Sequence, residues 1–361
     1  MILSDRIKSR LDWRSLYYLA STSKNQAYQL NQLHRRSACY IVIYSISNGL
    51  KHGMAKVYYH DGTLQRQIEY LNGFIHGLMI EYYSNNQKAV QIKVFANQPH
   101  GTYQTFYPNG RIRTQYKFLN GITHGQFKSF YQTGQIHQEV YFHYGIKSGF
   151  ENYYWMTGDL KSQTTYQNGI KNGREIHWYN DQQASKILYW KNGKKKGLYQ
   201  EWYCHGQAKM VTYYHQDLLN GSYGEWWDNG EIAKNCHYID GELTDSLTTF
   251  DQDGNLMLSE SYLGGILHGY SHQFFHGPTR NKHLSDLEIP EDGLVEISEM
   301  YYHGELNGIT IVTINGAKRR TILYMDGLKN GGQMEYDSEA RKLRTLFYVN
   351  GHNQLILEEK N

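Results

Sequence analysis

His52, His76, His100, His124 and His268 each stand one residue before a glycine, at matching places in the chain. Imidazoles repeated in this way have two chemistries open to them, metal ligation and proton switching near neutral pH. Spacing decides against both. The first four are 24 residues apart, and in a sheet built of hairpins that separates neighbours by about 9–10 Å. Zinc needs its ligands within ~2.1 Å of one ion, so these histidines are expected to serve turns. A second group is basic. Lys186, Lys191, Lys194, Lys195 and Lys196 fall within eleven residues that hold no acid, and Lys147 and Lys171 stand at matching turn positions earlier in the chain. Aligned lysines can meet anionic lipid headgroups or phosphates at about 1 kcal/mol each. They also protect a sheet edge from pairing with another sheet. Lys147, Lys171, Lys191, Lys194, Lys195 and Lys196 therefore form the candidate anionic-surface patch. We find no catalytic carboxylate pair, nucleophile elbow, HExxH zinc motif or Gly-Lys-Ser/Thr phosphate loop. The sequence supports neither catalysis nor a metal site nor a cofactor.

The elements that hold these residues repeat. An aromatic or apolar anchor recurs at Ile46, Tyr70, Val94, Phe118, Phe142, Tyr166, Trp190, Tyr214, Tyr238 and Tyr262, always 24 residues on. A glycine follows each anchor by seven residues, from Gly53 to Gly269, with Asp245 the one exception. Repetition without insertion over this length marks a repeat array, in which each unit packs on its neighbours. The phase breaks once. From Tyr262 to Tyr301 is 39 residues, one repeat plus 15, and Tyr301, Tyr324 and Tyr348 then resume the pattern.

Each unit reads as two short strands. Asp61-Gly62, Asn109-Gly110, Asn229-Gly230 and Asp253-Gly254 are hairpin signals at one end, and Asn72-Gly73 marks the turn at the other. Period-2 counting groups Tyr58, Leu64 and Tyr70 on one ring-packed face and leaves Gln65, Gln67 and Glu69 to water. The fold expected is mainly β: an elongated single-sheet antiparallel hairpin array of 24-residue units, on the order of 110 Å long. Asn97, Asp217 and Asp245 replace turn glycines, which these residue types tolerate because they enter the left-handed region more readily than others. Residues 279–299 hold the inserted stretch, polar and acidic, either a recognition loop or a spacer. Residues 1–38 lack the repeat. Leu3, Ile7 and Leu11, then Leu16 and Leu19, are spaced for a small α-helical N-terminal cap.

Composition agrees with an open sheet. The chain has 34 tyrosines and 15% aromatics, yet its mean hydropathy is −0.70. Thirty-seven basic against 34 acidic residues give a net charge of +3, too little to demand a nucleic acid partner. Cys39, Cys204 and Cys236 are few, odd in number and far apart, as in a reducing, cytoplasmic setting. No apolar run nears the ~20 residues of a membrane helix.

Tyr166-Gln-Asn-Gly-Ile-Lys-Asn-Gly173 and Trp190-Lys-Asn-Gly-Lys-Lys-Lys-Gly197 resemble the repeat signature of the MORN-repeat variant family. That resemblance spans residues 46–351 and implies an extended β-meander used for protein or lipid contacts. Ile7, Leu11, Asp12, Ser15, Leu16, Leu19, Ala20, Thr22, Ser23 and Lys24 are similar to the second half of an F-box, lacking its Leu-Pro opening. This implies docking on the linker subunit of a cullin–RING ubiquitin ligase through Leu11, Leu16 and Leu19. The two modules together resemble proteins encoded by large DNA viruses of protists, which implies a host cytoplasm. Two shorter likenesses yield to the repeat. Asp251-Gln-Asp253-Gly254-Asn255 is similar to a calcium loop but coincides with a hairpin turn. Gly331-Gly332-Gln333 resembles the release-factor tripeptide, but Gly331 is a repeat glycine. The sequence thus points to a non-catalytic protein-interaction scaffold, and the F-box resemblance implies a substrate-recruiting adaptor for a cullin–RING ubiquitin ligase. The alternatives are a MORN protein on an anionic membrane surface and a bacterial antitoxin-like repeat protein. The domains expected are an F-box-like segment over 1–38 and a MORN-type array over 39–361.

Overall fold

A computed structural model describes residues 19–21, 41–59, 61–277, 281–284 and 287–358. Among these residues every regular element is a strand. The chain divides into two compact units, Met1–Lys171 and Asn172–Asn361. In each, successive strands pair antiparallel into an open sheet of hairpins, and the strand Ile170–Trp178 holds the division. Of the N-terminal segment, Leu19–Ser21 is described. It is a three-residue strand pairing parallel with Ile41–Ser47, Leu19 opposite Ile43. The helix expected around Leu19 and Ala20 is therefore not what this backbone forms, because its N–H and C=O groups bond to a neighbouring strand. The rest of the expected cap, with Leu11 and Leu16, lies outside the described residues.

One repeat shows why the sequence folds this way. Leu50–Tyr58 and Leu64–Leu71 pair with Gly53 opposite Tyr70, Ala55 opposite Ile68 and Val57 opposite Arg66. Leu71 and Phe74 then face each other across Asn72 and Gly73, whose φ values of 49° and 87° define a tight two-residue turn. Asn97, Asp217 and Asp245 adopt φ of 64°, 73° and 63°, as their residue types allow. Asn97 and Asp217 do more than tolerate the turn. Asn97 Oδ1 accepts from the Ile75 N–H at 2.7 Å and Asp217 Oδ1 from the Lys195 N–H at 2.7 Å, tying each turn to the preceding hairpin.

Period-2 counting fails at one point in each hairpin. Tyr58 pairs with Leu64 while Val57 pairs with Arg66, so Gln65 is an extra residue and the register shifts. The same shift recurs at Glu81/Tyr82, Thr105/Phe106 and Ser129/Phe130. A bulge of this kind turns the strand over. Tyr58 and its equivalents therefore lie on the opposite face from Tyr70 and its equivalents, and both faces carry rings. The hydrogen bond from Tyr82 Oη to Gln67, 2.8 Å long, confirms the side.

A second aromatic column fastens repeat to repeat. Tyr83 Oη donates to the Phe106 carbonyl at 2.7 Å, Tyr107 to Phe130 at 2.8 Å and Tyr131 to Tyr154 at 2.7 Å. In the second unit Tyr179 and Tyr203 do the same to Trp202 and Trp226, and the Trp227 indole N–H takes the role toward Phe250. Replacing Tyr107 by Phe keeps the ring and removes the bond, so it is expected to cost about 1 kcal/mol, read as a lower urea midpoint. An unchanged midpoint would show the clamp to be ornamental.

The units differ in what lies beneath the anchor rings. In the first, Ala55, Ile68, Tyr70, Ile75, Met79, Ile92, Val94, Tyr116 and Phe118 form a buried apolar cluster with Tyr103 and Phe127 packed on it. In the second, apolar packing concentrates where the inserted stretch lies. Leu284, Leu287 and Ile289 pack on Phe275, Val295, Ile297, Val312 and Ile314. The stretch expected as a loop or spacer is thus partly core. Its last residues are also strand, since Leu294–Tyr302 pairs with Ile266–His276 without a bulge.

Candidate functional site

The anchor face of the second unit repeats an arrangement that the first unit shows at Tyr153 and Glu151, where the hydroxyl donates at 3.4 Å: carboxylates set beside aromatic rings on successive strands. Tyr199 Oη donates to Glu201 at 2.7 Å, Tyr262 to Glu260 at 2.6 Å and Tyr301 to Glu299 at 3.1 Å. The Trp190 indole donates to Glu175 at 2.8 Å. The pairing register keeps these groups on one side. Glu201, Met210, Glu225, Lys234, Thr249 and Leu258 are opposite one another in succession. Cys236, Leu247, Glu260, Ser271 and Glu299 form the adjoining row.

Each ring–acid pair has electrostatic consequences. Burial, then the neighbouring carboxylates, push the hydroxyls of Tyr199, Tyr223, Tyr262 and Tyr301 well above the usual tyrosine range. Tyr238, by burial and the Cys236 thiol, is raised to about 12. At Glu201 burial works upward, but the Tyr199 hydroxyl and Lys209, whose Nζ stands 3.0 Å away, hold the carboxyl below its ordinary value. The hydroxyls thus stay protonated and serve as donors to ionised acids.

Under the inserted stretch the same geometry is closed. His283 Nε2 lies 2.7 Å from Glu299 Oε1, and the two side chains are 1% and 3% exposed. Burial pushes the Glu299 carboxyl up, but the hydrogen bond and charge of His283, with Tyr301 and Lys282, outweigh it and hold it below its usual value. The His283 carbonyl accepts from Arg320 at 2.7 Å, and Arg320 reaches Glu335 at 3.0 Å. Glu335 also accepts from Gln333 at 2.9 Å and Arg344 at 2.5 Å.

The lysines read from sequence separate into two groups. Lys147 and Lys195 lie on ring faces, over Tyr166 and Tyr214 at 4.8 Å each, and Lys147 Nζ is 2.6 Å from Glu151. Lys51 and Lys329, not singled out from sequence, hold the same position over Tyr70 and Tyr348. Lys171 also stands at that repeat position, half-buried. Lys191, Lys194 and Lys196 are exposed. Of the F-box residues, Leu11 and Leu16 lie outside the described residues. Asp251 proves to be a turn residue, accepting from the N–H groups of Asp253 and Asn255. Gln333 is buried in the Glu335 network. Histidines of the column pack tilted against neighbouring rings, His76 on Phe95 at 4.7 Å and His124 on Tyr144 at 4.8 Å. Among the described residues no three metal-ligating side chains converge.

Hairpin units of fixed length, cross-fastened turn to turn, define an open β-hairpin repeat protein. Three segments, residues 51–72, 99–120 and 123–144, match the family described as the MORN repeat variant. These matches support the MORN-repeat family for the array. No curated protein matches the chain. Among solved structures, the Photorhabdus luminescens Tc holotoxin pore, with a mutation in its TccC3 component, is similar over 89% of this chain and 18% of that chain. Sequence identity there is 13% and the TM-score 0.18. The present chain therefore spans less than a fifth of that structure's chain.

Proposed function

We propose that this chain is a non-catalytic interaction scaffold that holds a protein partner against the ring-and-carboxylate face of its second unit. One contrast carries this reading. From Ala55 to Phe118 the first unit fills its anchor face with a buried apolar cluster, the arrangement that stability favours, and the acids it sets on that face, Glu81 and Glu151, are already paired with Arg66 and Lys147. The second unit sets Glu201, Glu225 and Glu260 among tyrosines instead, where taking acids from water costs free energy. Rings with polar tips, partly exposed on a fixed sheet, are what protein interfaces use as anchors. Photo-crosslinking residues placed at Tyr238 and at Tyr270, on opposite faces, test it in whole-cell lysate. Adducts at position 238 and few at 270 are expected; the reverse pattern overturns the assignment.

The adaptor reading requires the N-terminal segment to dock a ubiquitin-ligase linker subunit through Leu11, Leu16 and Leu19. The strand at Leu19–Ser21 counts against a helix there. Recovery of the linker subunit by the wild type and its loss in Leu16→Asp would support that role, and equal recovery by both rejects it. A membrane reading has its own observation: exposed Lys191, Lys194 and Lys196 share the turn edge with exposed Leu218 and Ile239. Flotation with anionic vesicles decides, since salt-insensitive or absent binding removes it. Either reading places the chain in the cytoplasm, on the evidence of its cysteine usage.

A further inference from the structure

Two equivalent positions of the repeat differ in what meets the second carboxylate oxygen, and the difference points to a ligand. Glu299 with Tyr301 and Glu260 with Tyr262 occupy the same places in successive repeats, and Ser271 stands between the two acids in the ladder. In both, the tyrosine hydroxyl donates to one carboxylate oxygen. At Glu299 the second oxygen is taken by the His283 ring, which the inserted stretch lays onto the face, with Tyr324 edge-on at 6.0 Å. At Glu260 the second oxygen meets only the Ser271 hydroxyl, at 3.4 Å. No cation pairs with Glu260 among the described residues, and both Glu260 and Tyr262 are half-buried rather than covered.

The chain thus carries its own specimen of what an acid–tyrosine pair accepts: a nitrogen donor from a crossing segment, seated beside a ring. His283 is also imperfect cargo, for its Nδ1 is buried with no partner. A side chain with more donors satisfies such a site better. A guanidinium offers five N–H groups in a fork that matches a carboxylate, and it stacks on aromatic faces. The ring faces here already accept cations from within the chain, Lys195 over Tyr214 at 4.8 Å and Lys234 over Tyr223 at 5.3 Å.

We propose that the uncovered pairs of the second unit, Glu260 with Tyr262 and Glu225 with Tyr223, bind arginine and lysine side chains of an extended basic segment in a partner protein. This rests on the reading of that face as the partner-binding surface and adds the chemistry of the partner. Lys234 is the counter-feature. It is opposite Glu225 in the ladder, so an incoming guanidinium competes with it there, and Glu260 is the stronger of the two sites.

The test is fluorescence anisotropy of a labelled oligo-arginine peptide with the full chain, at low and at physiological salt. Binding that weakens with salt is expected. Glu260→Gln preserves the size and the Tyr262 bond, and it should weaken binding about tenfold, as loss of one charge-assisted hydrogen bond does. The control Glu242→Gln/Glu305→Gln removes two exposed acids from the turn edge and should leave binding unchanged. Circular dichroism melting of each variant confirms that it is folded. Equal losses in Glu260→Gln and the control, or no loss in either, would mean diffuse charge attraction and overturn the proposal. No peptide binding, together with partner crosslinks at position 238, would overturn it while leaving the scaffold reading intact.

Discussion

Ile297→Ala lowers the stability of the second unit by about 3 kcal/mol, within the range for burying a cavity where an isoleucine stood. Ile297 is 0% exposed. Its neighbours Val295, Val312 and Ile314 project from paired strands, and Leu284, Leu287 and Ile289 arrive from the inserted stretch. Strand side chains are fixed by the ladder and cannot close the gap, so the lost contacts are not recovered. The effect should also be local. Repeat arrays unfold in units coupled to their neighbours, so the fluorescence of the seven tryptophans, all at or before Trp227, should shift less than a probe placed near residue 312. The control is Ile309→Ala, one strand position from Thr310 but 56% exposed, which should change stability by less than about 0.5 kcal/mol. Comparable losses at both sites would mean that the inserted stretch does not close over this core.

The second large effect is alkaline. Burial, followed by the charge of Glu299, raises Tyr324 to about 12, while in the unfolded chain it titrates near 10. Between those values the folded state keeps a proton that the unfolded state has released, so stability is present in full below pH 10 and is lost as pH rises through 12. For Tyr324, 8% exposed, this amounts to about 2–3 kcal/mol. Tyr199, Tyr223, Tyr262 and Tyr301 are shifted in the same direction, each adding a slope of up to ~1.4 kcal/mol per pH unit. Urea midpoints should therefore fall steeply from pH 9.5 to 11.5, and Tyr324→Phe should flatten the fall. A flat profile in the wild type would mean that these hydroxyls ionise freely in the folded protein. The acid limb has the opposite sign. Glu299 is held below its usual value, so its contribution is complete above the ordinary carboxylate range and fades as pH drops beneath it.

How much of this was legible beforehand depends on the interaction involved. Turns are local, and the sequence located them: Asn72-Gly73 takes the left-handed pair of conformations, and Asn97, Asp217 and Asp245 stand in for glycine because their side chains tolerate that region. The hydrogen-bonding use of Asn97 and Asp217 was not legible, since their acceptors serve donors 22 residues back. The face assignment of Tyr58 failed for a different reason. Counting by two assumes an unbroken pleat, and one extra residue, Gln65, reverses everything beyond it. The hydroxyl clamps from Tyr83, Tyr107 and Tyr131 could have been suspected from a ring recurring in a polar turn, but their acceptors are backbone carbonyls that carry no residue signature.

The lysine patch and the inserted stretch mark the boundary most clearly. Lys147 and Lys195 look from the sequence like Lys191 and Lys194, but ring faces capture the first two and solvent keeps the others. Residues 281–299 look polar, but five of their described side chains, His283, Leu284, Val295, Ile297 and Glu299, are nearly or wholly buried. The repeat length, the strand order and the positions of the turns were determined by the chain alone, because each depends on residues a few places apart. Which face each ring occupies, which acids lose their water and which side chain seats on Glu299 were decided by the folded sheet. Those outcomes turn on strands brought side by side, where burial, not residue type, sets the energy of a charge.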